Sequence, residues 1–508
     1  MILMNFPILK YSFLIVLISL LKSCGQSRDE IKNPNILLIY MDDLGYGDVS
    51  SYGVGTLSTP NIDRISENGI RFTNGYSTSA TCTPSRYAIL SGEYPWRNQR
   101  AQILPGNAPL LFDLSKETLP SLLKKANYKT AIIGKWHLGL GDENLDWNQS
   151  ISPGPNDIGF DYSFILASTN DRVPSVYLEN NKVLNLDKKD PLKVSYTENF
   201  IGEPTGKENP QLLKLFPSHG HDMSIHNGIS RIGFMKGGKS ALYIDENMSD
   251  TILVKTKKFI ESNKDNSFFL FYSLHQPHVP RVPHPRFVGS SGMGPRGDAI
   301  LEADWAIGQV LDKIDELGLS ENTMVVFSSD NGPVLDDGYK DEAEEKIGDH
   351  TPSGLLRSGK YSMFEGGTRV PFIISWPGKI TPGVSDALVC QLDFMGSFSN
   401  LVGIENPSLD SQNTLNSFLG KLEKGRDQLV LEASGKIFLR KGNWVMIPPY
   451  EGPKIVNQWV KNETANSQDF QLYNLSDDLE QLRNLASDYP EKVQEMIKSM
   501  KEIKERVN

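Results

Sequence analysis

The 508-residue chain carries 39% hydrophobic and 22% charged residues, the balance of an ordinary globular protein and not of a disordered one. Its length exceeds one typical domain and predicts one large domain with a smaller one. A formal net charge of -10 without a long basic run argues against nucleic acid as a partner, though it leaves room for a local cationic pocket.

At the N-terminus, Lys10 precedes a mostly apolar run over residues 11–21, followed by Lys22, Ser23 and Cys24. The run is shorter than the roughly 20 apolar residues of a membrane span and suits the apolar region of an export signal. An uncleaved anchor is the alternative. Leu21-Lys22-Ser23-Cys24 resembles a bacterial lipoprotein signal. That resemblance implies a signal peptide over 1–23, lipidation of Cys24, a linker over 24–34 and export to the outer membrane or cell surface, or to the periplasm. Asp29 and Glu30 resemble the surface-export signal of some such lipoproteins. With Cys24 lipidated, Cys82 and Cys390 are left to pair or stay free. Cys390 sits in apolar-leaning surroundings and reads as a buried small hydrophobe, which leaves Cys82 free in a polar setting.

Along the chain, residues 36–40 form a short apolar run that predicts a buried parallel strand. Thr59 and Pro60 open a helix through Asn68, stopped by Gly69. Thr83 and Pro84 open a helix toward Leu90, closed by Gly92, with Cys82 at its head. Helix 119–126 leads to a strand at 130–133, and residues 268–272 make another strand. Residues 299–317 predict a long helix with Ala303, Ile307, Val310, Leu311, Ile314 and Leu317 on one face. Strands follow at 324–327 and 370–376. The alternation predicts an α/β fold, a mostly parallel sheet sandwiched by helices. A polar stretch at 408–425 separates a large domain, 35–415, from a C-terminal subdomain, 416–508. The latter shows three short strands of a small antiparallel sheet and a final helix from Pro490, whose stripe of Val493, Met496, Ile497, Met500 and Ile503 predicts packing against the body.

Polar residues follow four of these strands. Asp42 and Asp43 follow the first, Lys135 and His137 the strand from Thr130, His275 and His278 the strand from Phe268, and Asp330 and Asn331 the strand from Met324. Ligands of open α/β sheets bind at that edge. Any single cluster reads as a structural turn; four at equivalent ends do not. Asp42, Asp43, Asp330 and Asn331 offer oxygen ligands suited to Ca²⁺ or Mg²⁺. Lys135, His137, His278 and Arg86 add positive charge and protons, the equipment for a sulfate or phosphate ester. Cys82, at a helix N-terminus in that field, is placed to react or to be modified.

At this point a resemblance is clear. Residues 82–92, CTPSRYAILSG, closely resemble the sulfatase signature Cys-x-Pro-Ser-Arg-x-x-x-Leu-x-Gly, with Ile89 and Ser91 as conservative departures. GKWHLG at 134–139 matches the second family signature, and NILLIYMDDLGYGD at 35–48 its opening strand and metal loop. GFDY at 159–162, DNGP at 330–333, the segment from Gly354 that carries Lys360, and LYNLSDD at 472–478 match further family segments. The resemblance implies a formylglycine-dependent sulfatase of the alkaline phosphatase superfamily. Cys82 would become 3-oxoalanine (Cα-formylglycine) through a formylglycine-generating or anaerobic maturation enzyme. Asp42, Asp43, Asp330, Asn331 and modified Cys82 would hold Ca²⁺, with Mg²⁺ second. The aldehyde hydrate at 82 would attack sulfur, and a covalent sulfate ester would form. His137 would be the base that releases it, Arg86 and Lys135 would steady the hydrate, and His278 and Lys360 would bind sulfate and protonate the leaving alcohol.

The substrate is less legible. An exported sulfatase implies sulfated saccharides, from algal polysaccharide such as ulvan or carrageenan or from host glycans. His275, Arg281 and His350 are candidate substrate contacts. The His-, Arg- and Lys-rich stretch 218–239 reads equally as a pocket loop or a surface insertion. The alternative activity is phosphonate monoester or phosphodiester hydrolysis by the same superfamily; a non-catalytic glycan-binding scaffold is disfavoured by the intact residue set.

Overall fold

The computed structural model describes residues 33–53 and 55–506. The predicted leader and Cys24 lie outside them. From Asn35 the chain forms one compact unit. In chain order its principal elements are β1 (Asn35–Met41), α1 (Pro60–Glu67), β2 (Gly69–Phe72), α2 (Cys82–Ser91), α3 (Leu119–Lys125), β3 (Lys129–Lys135), β4 (Tyr162–Leu166), β5 (Tyr177–Glu179), β6 (Lys182–Val183) and α4 (Met248–Ser262). Then come β7 (Phe268–Ser273), α5 (Gly294–Glu316), β8 (Thr323–Ser329), β9 (Phe372–Ser375), β10 (Gly383–Ser385), α6 (Phe394–Val402), β11 (Gln428–Ala433), β12 (Lys436–Lys441), β13 (Trp444–Ile447), β14 (Gln471–Asn474) and α7 (Pro490–Lys504).

Ten strands form one sheet in the order β10-β2-β9-β8-β1-β7-β3-β4-β5-β6. Its centre, β8-β1-β7-β3-β4, is parallel throughout. Strand β9 runs antiparallel to both β8 and β2, and β5 and β6 close the far edge antiparallel. The central strands are apolar on both faces because helices cover both. Ile36, Leu38, Phe269, Phe271, Met324 and Val326 face α2, α3 and α6. Leu37, Ile39, Leu270, Tyr272, Val325 and Phe327 face α1, α4 and α5, where Ile252, Ile300, Ala303 and Ile307 meet them. Truncating one such buried aliphatic side chain to alanine costs about 2–5 kcal/mol.

The register positions the site. Tyr40 is level with Ser273 of β7 and Ser328 of β8, and Ser273 with Gly134 of β3. Four strands therefore end at one height and deliver their following residues to one edge. Glycine is required at 134: its φ is +117°, and a Cβ there would lie 1.8 Å from the Ser273 carbonyl oxygen.

Strands β11–β14 form a separate antiparallel sheet. Its apolar side packs on Val493, Met496 and Ile503 of α7. Strand β14, which overlaps the 472–478 motif, carries too little alternation over four residues to stand out in the sequence. This sheet also braces the approach to α2, since the Ala80 N–H donates to the Glu432 carbonyl at 2.8 Å and the Glu432 N–H to the Thr78 carbonyl at 3.0 Å.

Candidate active site

Helix α2 begins at Cys82, one residue earlier than the Thr83–Pro84 signal suggested, with Thr81 extended as its N-cap and Gly92 at φ +68° as its C-cap. Ser85 locks the entry turn: its hydroxyl donates to the Ser79 carbonyl at 2.9 Å and accepts from the Ser79 N–H at 3.2 Å. Thr83 ties the helix to the loop after β3 by donating to the His137 carbonyl at 3.0 Å. Cys82 and Cys390 are both free and buried. Burial pushes the Cys82 thiol up to about 12 against the pull of Lys135 and Lys360, so it stands as a neutral thiol and not a thiolate nucleophile.

Asp42, Asp43 and Asp330 interlock beside it with Lys135, Arg86 and Lys360, all six buried. Lys135 Nζ donates to Asp42 Oδ2 at 2.6 Å and lies 3.7 Å from Asp330 Oδ2. Arg86 holds Asp330 Oδ2 through Nε at 3.0 Å and a terminal nitrogen at 2.9 Å. Its other terminal nitrogen donates to Ser273 Oγ at 2.6 Å. Lys360 Nζ donates to Asp43 and Asp337, each at 2.8 Å, and these carboxylates outweigh burial and keep the ammonium charged. Asn331 donates its amide to Asp43 Oδ1 at 2.7 Å. Asp43 itself is held at φ +63°, a sparsely populated conformation for a non-glycine residue.

Carboxylate oxygens of Asp42, Asp43 and Asp330 lie within 4.8 Å of one another. Asp42 Oδ1 and Asn331 Oδ1 are buried without a hydrogen-bond partner. Burial pushes the Asp42 carboxyl up, Lys135 pulls against it, and Asp330 and Asp43 add to the rise. A hard dication removes that mutual repulsion and satisfies both orphaned oxygens, so the donor set fits Ca²⁺ or Mg²⁺.

Two histidines stand at these strand ends. His278, Asp42 and Cys82 each place a ligand atom within 4.8 Å of the others'. His278 directs Nδ1 to the Val279 carbonyl at 2.6 Å, which leaves Nε2 facing Asp43 Oδ2 at 3.9 Å. His137, at φ +57°, directs Nε2 to the Leu104 carbonyl at 3.0 Å and leaves Nδ1 without a partner. Burial, reinforced by Lys360 and Lys135 for His278 and by Lys135 for His137, holds both rings well below the ordinary imidazole range. Both are neutral at neutral pH, each with one ring nitrogen free to take a proton.

The structure gives different surroundings to the three expected substrate contacts. Arg281 is committed internally, to the Pro277, Leu335 and Val334 carbonyls and to Asp341 at 2.9 Å. His350 donates to Asp48 at 2.8 Å within the Asp48–Arg296 ion pair and also meets Thr56. Both side chains thus spend most of their polar atoms within the protein. His275 lines a narrow cleft of about 10 Å³ with Asn170, His278 and Glu302, room for a water and not for a sugar.

Sequence reasoning missed Asp171, Arg172 and Asp337 and reached His221 only as part of the 218–239 stretch. Arg172 pairs with Asp171 at 2.9 Å, and His221 Nε2 meets the same carboxylate at 2.9 Å. Asp171 and Arg172 follow β4, the fifth parallel strand, so the strand-end rule used for the other four applied to them too. The stretch 218–239 divides: His219 and His221 face the 336–339 loop, whereas Arg231 is buried against Asp245 at 2.8 Å.

A protein-family model described as Sulfatase matches residues 34–404. The chain is similar to the N-acetylgalactosamine-6-O-sulfatase of Bacteroides thetaiotaomicron, 47% identical over 500 residues that span 96% of this chain and 98% of that protein. It is similar to arylsulfatase A of Homo sapiens, 29% identical over 439 residues, 84% of this chain and 77% of that one. A solved structure from work on the metabolism of multiple glycosaminoglycans by Bacteroides thetaiotaomicron matches with a TM-score of 0.92 at 47% identity, covering 94% of this chain and 100% of that chain.

Proposed function

The chain belongs to the sulfatase family and is a sulfuric ester hydrolase, and from that premise we propose that it removes the 6-O-sulfate of N-acetylgalactosamine in glycosaminoglycan-derived saccharides. The observation that carries this reading is its 47% identity, across 96% of its length, to a protein named for that reaction. The same likeness favours host glycosaminoglycan over algal ulvan or carrageenan.

In this reading Asp42, Asp43, Asp330 and Asn331 hold Ca²⁺, which bound there draws electron density from the sulfate oxygens. Conversion of Cys82 to formylglycine by a maturation enzyme supplies an aldehyde whose hydrate carries the nucleophilic hydroxyl; the neutral, buried thiol offers no comparable nucleophile. His137 takes a proton at Nδ1, the nitrogen left free by its bond to Leu104. Lys135 and Arg86 position Asp42 and Asp330 and offset their charge. Lys360 Nζ and His278 Nε2 receive the sulfate. His278 begins neutral, and an arriving sulfate raises its proton affinity, which lets it donate to the leaving alcohol. The N-terminal signal supports an exported, lipid-anchored protein.

The test is sulfate release from 6- and 4-sulfated N-acetylgalactosamine and 6-sulfated N-acetylglucosamine, after co-expression with a formylglycine-generating enzyme. Release confined to the first sugar and lost in Cys82→Ser supports the reading. Release from another sugar refutes the substrate. Preferred turnover of a phosphonate monoester, with formylglycine verified by mass at position 82, refutes the reaction.

A further inference from the structure

The surface beside the segment that carries Lys360 bears a feature that the sulfate chemistry does not use. The imidazole of His219 and the indole of Trp459 stack with centroids 4.5 Å apart and planes 10° from parallel. Trp459 is 36% exposed and the His219 side chain 20%. They come from segments 240 residues apart, one in the 218–239 stretch and one in the C-terminal region.

Both partners are tied by hydrogen bonds to the neighbourhood of Lys360. On one side, Ser218 donates to Asp336 Oδ1 at 2.6 Å and bonds His219 Nδ1 at 2.9 Å. Asp337, the next residue, accepts from Lys360 Nζ at 2.8 Å. On the other side, Trp459 lies in a loop closed by the Ile455–Glu463 bridge. Asn457 fixes its tip by accepting from the Trp459 and Val460 N–H groups at 2.9 and 2.8 Å. Asn462 anchors the loop by donating to the Lys360 carbonyl at 3.0 Å and the Pro333 carbonyl at 3.2 Å. The stack is thus fastened from both sides to the segment carrying Lys360, but it lies at the surface while the Lys360 ammonium is buried.

We propose that the His219–Trp459 stack is a second saccharide-binding element, the platform on which the sugar residue next to the sulfated one lays its apolar C–H face. The proposal rests on the saccharide reading above. A pyranose ring has a polar rim and apolar faces, and a rigid aromatic surface buries such a face at little cost in conformational entropy. An exposed tryptophan backed by a histidine, held by polar anchors and not packed into the core, matches that role better than a stabilising one. The layer of Asp336 and Asp337 separates it from the sulfate pocket, which assigns it to the neighbouring residue and not to the sulfated sugar.

The experiment compares kcat and KM on N-acetylgalactosamine 6-sulfate and on a tetrasaccharide ending in that residue, for the wild-type enzyme, Trp459→Ala and Trp459→Phe. Wild type should favour the tetrasaccharide. Trp459→Ala should lose about tenfold in kcat/KM on it, mainly through KM, as for loss of an aromatic anchor. Its monosaccharide rate should stay within about twofold, which also certifies the fold and the Lys360 pocket. Trp459→Phe should recover most of the loss. Equal losses on both substrates, or no loss on either, overturn the proposal. Should wild type cleave a different sulfated sugar instead, the N-acetylgalactosamine reading fails, while the same comparison made with that sugar and its tetrasaccharide still decides the platform.

Discussion

Replacing Arg86 with methionine tests the charge balance of the site without asking for turnover. The guanidinium is 1% exposed and makes two contacts of 3.0 and 2.9 Å to Asp330 Oδ2, plus the bond to Ser273. Asp330 is fully buried, and its next cation, Lys135, is 3.7 Å away and committed to Asp42 at 2.6 Å. Removing one partner of a buried ion pair leaves an uncompensated charge and costs about 3–5 kcal/mol. An unfolding entropy of about 2.1 cal/mol/K per residue gives about 1 kcal/mol/K for the compact unit. Tm should therefore fall by about 3–5 °C. The assay is calorimetry on protein made without a maturation enzyme, so that position 82 is cysteine in both samples and only the ion pair differs. Calcium should narrow the gap, because a dication takes over the compensation of Asp330. A fall of less than about 1 °C in the absence of calcium would refute the view that Arg86 is what makes a buried Asp330 tolerable.

Chelation should lower Tm and calcium restore it: at a hundredfold excess over Kd the gain is about 2.7 kcal/mol, or about 3 °C, and Asp42→Asn should abolish it. A calcium response that survives Asp42→Asn would place the ion elsewhere. Cys82→Ala should reduce sulfate release to the blank while leaving Tm within about 1 °C, since it removes one small buried group; residual turnover would refute a role for residue 82. The third concerns pH. Burial pushes the Glu302 carboxyl up to about 7, whereas it titrates near 4.3 when unfolded. Between these values the native state binds more protons, so this group's contribution is full below about pH 4.3 and is lost as pH rises toward about 7. Relative to wild type, Glu302→Gln should gain about 4 kcal/mol across that window, read as a Tm difference that grows with pH; a constant difference would refute the shift.

Much of the fold was legible because its signals are local. The apolar runs leading into Asp42, Asp330 and His275 are buried on both faces, so each announces itself without alternation. The α5 stripe of Ala303, Ile307, Val310 and Ile314 is read from helical spacing alone, and all four are buried. Strand β14 and the antiparallel sense of β9 were not legible, since four residues carry little pattern and none of it encodes direction. Among the polar residues, identity was legible and company was not. Arg281 and His350 resemble Arg86 and His278 in composition, yet their polar atoms meet Asp341 and Asp48.

The sequence by itself determined the kinds of element, the residues at the strand ends and the family, because spacing within a strand or helical turn maps directly onto geometry. The tertiary structure decided which ends meet, through a register that sets Tyr40 level with Ser273 and Ser328. It also decided which charges pair, as with Arg86 and Asp330, 244 residues apart. Such pairings depend on how distant segments pack, and no local spacing carries that information.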